Sequence, residues 1–94
     1  MPITRATVTT DNASLNLKKL CRHFSHKVET QFDDDHGEIR FPFGTALLDA
    51  QPGELVMQGR SDSEETLARL EDVIAGHLVR FASKESLTVE WQRD

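Results

Sequence analysis

Two apolar stripes at helical spacing, separated by short stretches of strict alternation, constrain this chain more than any other feature. Leu67, Leu70, Val73, Ile74, Leu78 and Phe81 fall on one face of a helix, and Leu17, Leu20, Cys21 and Phe24 fall on one face of another. A helix that is apolar on one side only must lay that side on a partner. The partner is written in period two. Ala6 and Val8 alternate with Arg5, Thr7 and Thr9. Val28, Thr30 and Phe32 alternate with Glu29 and Gln31, and Ile39, Phe41 and Phe43 with Glu38 and Arg40. Thr45 to Ala50 and Glu54 to Gln58 add two more strands, and Leu87, Val89 and Trp91 alternate with Thr88 and Glu90 in a last one. The predicted order is β-α-β-β-β-β-α-β. The predicted fold class is α+β, a two-layer sandwich with a mainly antiparallel sheet and two helices on one face.

The ends of these elements carry their own signals. Asp11, Asn12 and Ser14 offer capping oxygens before a first helix expected from Ala13 to Ser25 or His26. Ser61-Asp62-Ser63-Glu64 reads as a capping box for the second helix, with Glu65 and Arg69 set to pair one turn apart on its outer side. Asp33 to Gly37 is a polar turn between strands. Pro42 marks an edge or a bend, because it has no N–H for a ladder. Gln51-Pro52-Gly53 suits a type II turn.

Ninety-four residues make a single domain, 1–94. With 37% hydrophobic and 29% charged residues the chain can bury one modest core, which argues against disorder. A formal charge of −5 would repel a phosphate backbone and an acidic bilayer, so neither nucleic acid nor membrane is an expected partner. Cys21 has no intrachain partner, and no long apolar run or charged leader is visible, so the expected compartment is the cytoplasm.

Several residues are able to carry chemistry. Cys21, His23 and His26 form a C-x-H-x-x-H run, with His77 on the second helix as a further ligand type. At about 100° per residue Cys21 and His23 point roughly 200° apart, so they do not share an ion on an intact helix. His23 and His26 are neighbours and make a two-nitrogen site that His77 or a carboxylate would complete. The plainer reading makes Cys21 a core residue, His23 and His26 polar residues favoured at a helix C-terminus, and His77 a hydrogen-bonded structural imidazole. Lys18, Lys19, Arg22 and Lys27 make the first helix basic in an acidic chain. Lys18 and Arg22, four residues apart, are candidates to dock a small anion or carboxylate. Asp33-Asp34-Asp35 lacks the spacing of a calcium loop and reads as a solvated turn. The chain has no G-x-S-x-G or phosphate-binding glycine loop, and the only thiol lies on the predicted core face, so a nucleophilic enzyme has no support here.

A faint internal echo sets Leu20-Cys21-Arg22-His23-Phe24 before one strand and Leu78-Val79-Arg80-Phe81 before another. These segments, with Ser25-His26-Lys27-Val28, Gly37-Glu38-Ile39-Arg40-Phe41-Pro42-Phe43-Gly44, Leu67-Ala68-Arg69-Leu70-Glu71, His77, Ala82 and the late Trp91, resemble the bacterial family called domain of unknown function 2218. The resemblance spans nearly the whole chain. It implies a short bacterial protein and an accessory role in iron or siderophore handling, and it supplies no catalytic residues.

The reading that follows is a non-enzymatic cytoplasmic binding or accessory module. Its candidate ligand-binding residues are Lys18, Arg22, His23, His26 and His77. Its expected partner is a small anionic ligand or another protein, with no resident cofactor. The alternative is a small metal-dependent or acid–base enzyme that uses His77 with His23 or His26, the same three histidines being its metal ligands. A third reading is a homodimer joined through an exposed strand edge.

Overall fold

The computed structural model describes residues 2–93, which form β1 (Ile3–Thr9), α1 (Ala13–Ser25), β2 (Glu29–Phe32), β3 (His36–Phe41), β4 (Gly44–Gln51), β5 (Glu54–Arg60), α2 (Glu64–Phe81) and β6 (Gln92–Arg93). The strands build one antiparallel sheet in the order β2-β3-β4-β5-β1-β6. Both helices lie on one face of it, α1 over β2, β3 and β4, and α2 over β4, β5 and β1. The expected α+β two-layer sandwich and its element order are what the chain adopts.

Alternation decides which side chains enter the layer between helices and sheet. Thr4, Ala6, Val8 and Thr10 point in and are buried, while Arg5, Thr7 and Thr9 point out. Ile39, Ala46, Leu48, Leu55 and Met57 complete the sheet's contribution. Leu17, Leu20, Cys21 and Phe24 of α1 and Leu67, Leu70, Ile74 and Leu78 of α2 close on them. A fully buried leucine is worth about 1.5–3 kcal/mol relative to an exposed one, so these two stripes dominate the packing energy.

The layer is tight enough at one point to dictate a residue. A Cβ at Gly37 would lie 2.7 Å from Cys21 Sγ and 3.3 Å from Leu17 Cδ2, so α1 rests on the bare backbone of β3. The β4–β5 turn is as expected. Gly53 has φ +78°, the left-handed value that the third position of a type II turn requires, with Pro52 before it.

Two strand expectations are corrected. The strand expected over Ile39–Phe43 stops at Phe41, and Pro42-Phe43 is instead the two-residue turn that sets Phe41 opposite Gly44. The missing N–H of Pro42 is harmless at a turn, and its ring aids the reversal. The last strand, expected over Leu87–Gln92, pairs only at Gln92–Arg93. Leu87, Val89 and Trp91 do pack on the core while Thr88 and Glu90 are exposed, so the alternation reported burial rather than a hydrogen-bonded ladder. A fork between Arg93 and Glu71, with N–O distances of 2.8 and 3.2 Å, ties this end to α2.

The caps differ as well. Asn12 holds the N-cap position of α1 without a side-chain hydrogen bond. Thr10 Oγ1 accepts from the Asn12 N–H, and Ser14 donates to the Asp34 carbonyl. At α2 Ser63, not Ser61, is the N-cap, and its hydroxyl accepts from the Thr66 N–H. Arg69 does not pair with Glu65; its guanidinium stacks 4.5 Å from the centroid of the Phe43 ring.

Candidate functional site

The helix C-termini bring the chemistry together. His23 lies in the last turn of α1 and His77 in the second half of α2. Their ring centroids are 4.8 Å apart with the planes tilted by 39°. Phe24 meets both rings at 4.9 Å, and Phe81 lies 5.3 Å from His23 and 6.1 Å from His77. The cluster continues through Phe24 to Phe41, and Phe41 stacks on Phe43 at 5.1 Å. A row of rings thus runs from the helix layer to the β3–β4 turn.

Polar contacts set the state of the two imidazoles. His77 Nδ1 is 2.6 Å from the carbonyl oxygen of Val73. A carbonyl only accepts, so Nδ1 carries the proton and the neutral ring keeps Nε2 as its free acceptor. The His23 pKa is lowered from the ordinary imidazole value, first by desolvation and then by the charges of His77, Lys27, His26 and Arg80. Both imidazoles are half-buried and lie toward the C-terminal, negative ends of their helices, with Lys27, His26 and Arg80 acting on His23.

The sequence-derived candidates separate in space. His23 and His77 meet. His26 is exposed beyond the end of α1 and has no ring contact with them among the described residues. Arg22 is exposed in the same turn as His23, and no carboxylate lies within ion-pair range of it among the described residues. Lys18 is directed elsewhere, pairing with Asp34 at 3.2 Å. No group of three or more His, Cys, Asp or Glu side chains among the described residues is arranged to hold a metal ion. Asp33 to Asp35 form a turn in which Asp33 Oδ1 accepts from the Asp35 and His36 N–H groups at 2.8 Å, contacts that hold its carboxyl below the usual range. Cys21 is fully buried, and desolvation pushes its thiol up to about 11, which leaves it without thiolate character.

Arg80, Phe81 and Phe41 belong to this cluster but were not among the candidates. The echo between Arg22-His23-Phe24 and Arg80-Phe81 was the signal that pointed to the first two. Phe41 was legible only as a strand residue. A hollow of about 640 Å³ lies elsewhere, on the sheet face away from the helices.

No helix among the described residues is long and apolar enough to cross a membrane. No curated protein matches the chain. The NMR structure of PA4090 from Pseudomonas aeruginosa is similar to it, with a TM-score of 0.83 and 35% identity over 98% of this chain and 96% of that one. Residues 5–92 match the family described as uncharacterized protein conserved in bacteria (DUF2218). With its sheet order, its paired helices and nine-tenths of its length accounted for in this way, the chain belongs to that bacterial family of unassigned function.

Proposed function

We propose that the chain is a non-enzymatic binding module of the cytoplasm that takes a small, planar, oxygen-rich anion on the His23–His77 patch. The observation that carries the reading is that His23, in contact with His77, feels the positive charges of Lys27, His26 and Arg80, with Arg22 exposed in the same helical turn, in a protein of net charge −5. Guanidinium and imidazolium groups donate to carboxylate or phenolate oxygens, and the adjoining Phe24 and Phe81 rings offer faces to a planar ligand. Iron-chelating catecholates have this chemistry, which accords with the role in iron or siderophore handling that the family resemblance implies. Lys18, held by Asp34, contributes less than Arg22.

The test is an NMR titration of the untagged chain with 2,3-dihydroxybenzoate and with its ferric complex. Saturable shifts at the His23, His77 and Arg80 amides, lost in the Arg22→Ala/Arg80→Ala variant, are expected. An unmoved spectrum overturns the reading.

One observation favours the second reading, a metal-dependent or acid–base centre: His77, whose ring lies against His23, has no hydrogen-bond partner at Nε2 among the described residues. Two imidazoles would need exogenous ligands to complete a zinc shell of four. Elemental analysis of untagged protein purified without chelator decides it, since stoichiometric zinc or iron lost on His77→Ala would favour the metal.

A further inference from the structure

The sheet face away from the helices has no covering element among the described residues. Leu47 and Asp49 of β4 share that face with Glu54, Val56 and Arg60 of β5, because successive side chains alternate. Leu47 and Val56 are half-buried and form part of the lining of the 640 Å³ hollow. Glu54 and Arg60 stand at opposite ends of β5, roughly 20 Å apart at the ordinary strand rise. Neither has an ion-pair partner among the described residues. On β3, His36 and Glu38 point to the same face, with His36 beside Asp49 and Arg40 beside Glu38. Arg60 therefore marks one end of the face and Glu54 the other, with the half-buried Leu47 and Val56 between them beside Gln58 and Asp49.

We propose that this face is a homodimer interface, two copies stacked sheet on sheet about a two-fold axis that runs across the strands. Such an axis reverses strand direction while keeping each strand over its own equivalent. Arg60 then comes over the partner's Glu54, and the reverse, while Glu38 comes over the partner's His36 and Leu47 over the partner's Asp49, with the partner's Val56 on the neighbouring strand. Stacking without the reversal would set Arg60 over Arg60, so charge selects one orientation. Sheets packed this way sit about 10 Å apart, which would take the half-buried Leu47 and Val56 of both copies out of water together. The strand edges are poorer sites, since β2 has four residues and β6 two.

Sedimentation equilibrium of the full chain, from micromolar to sub-millimolar concentration, tests the proposal. A dimer is expected whose association constant falls by about tenfold or more in Arg60→Glu and returns in the double variant Arg60→Glu/Glu54→Arg. Arg60 is exposed, so the variants should fold, and thermal unfolding verifies this. Three results overturn the proposal. One is a monomer throughout, including one whose Leu47 and Val56 amides respond to spermidine, which would give the hollow to a cationic ligand. Another is a dimer indifferent to Arg60→Glu, as strand-edge pairing would give. The third is loss of the dimer without rescue by the swapped pair.

Discussion

The imidazole of His23 rests against that of His77, centroids 4.8 Å apart, and this contact joins the last turn of α1 to α2. Two imidazoles this close disfavour being charged together, and desolvation of His23 acts in the same direction. The unfolded chain therefore takes up the His23 proton at a higher pH than the folded one. Stability is full above the ordinary value of 6.5 and declines as pH falls from there toward the lowered folded value. Urea midpoints between neutrality and mild acid should drop in the native protein and drop less in His23→Gln. Equal slopes in the two proteins would disprove the account.

Gly37 is expected to tolerate no side chain while Cys21 is in place. Gly37→Ala should cost about 1–3 kcal/mol, as overpacking does, because its Cβ would meet Sγ at 2.7 Å. Removing the sulfur should relieve much of this, so a double-mutant cycle with Cys21→Ala should show clear favourable coupling by chemical denaturation. Additive effects would mean that the two elements separate freely.

Cys21 should be inert in the folded state. With the thiol fully buried and pushed up to about 11, reaction with a thiol reagent at mildly alkaline pH should be slow in buffer and immediate in denaturant. Equal rates in both would contradict the burial.

A polar knot absent from the sequence reading should matter more than its size implies. Buried Asn16 donates to Glu85 Oε2 at 3.0 Å and to Thr10 Oγ1 at 3.3 Å, and the Thr10 hydroxyl also donates to Glu85. These hydrogen bonds, Thr10's first, lower the Glu85 pKa. Its contribution is thus present above the ordinary glutamate value and lost as pH falls through the lowered folded one. Asn16→Ala should cost about 1–3 kcal/mol, the penalty for removing a buried hydrogen-bonding group. It should also free the 83–86 segment after α2, where Ser86 sits at φ 53°, with faster amide exchange there as the readout. Unchanged exchange would show that Leu87 and its neighbours hold the segment alone.

Legibility in the sequence followed the physical range of each interaction. Ala6 and Val8 were readable as inward residues because strand alternation is a property of neighbours, and Leu67 to Leu78 because helical spacing is equally local. Arg69 was misread for the opposite reason. Its i−4 neighbour Glu65 was visible, whereas the Phe43 ring that it stacks on arrives from a turn 26 positions away. The Ser63 cap shows an intermediate case, since the right residues were named but backbone geometry chose among them.

The amino-acid order by itself determined the class of fold, the element order, the inward faces and the Pro52-Gly53 turn, because periodicity and backbone preference act over a few residues. Only the tertiary structure decided that His23 touches His77 rather than serving with His26, that Lys18 is held by Asp34, and that Gly37 yields its space to Cys21. Those outcomes depend on how two helices settle on one twisted sheet, a geometry set by the whole packed layer and by no single stretch of chain.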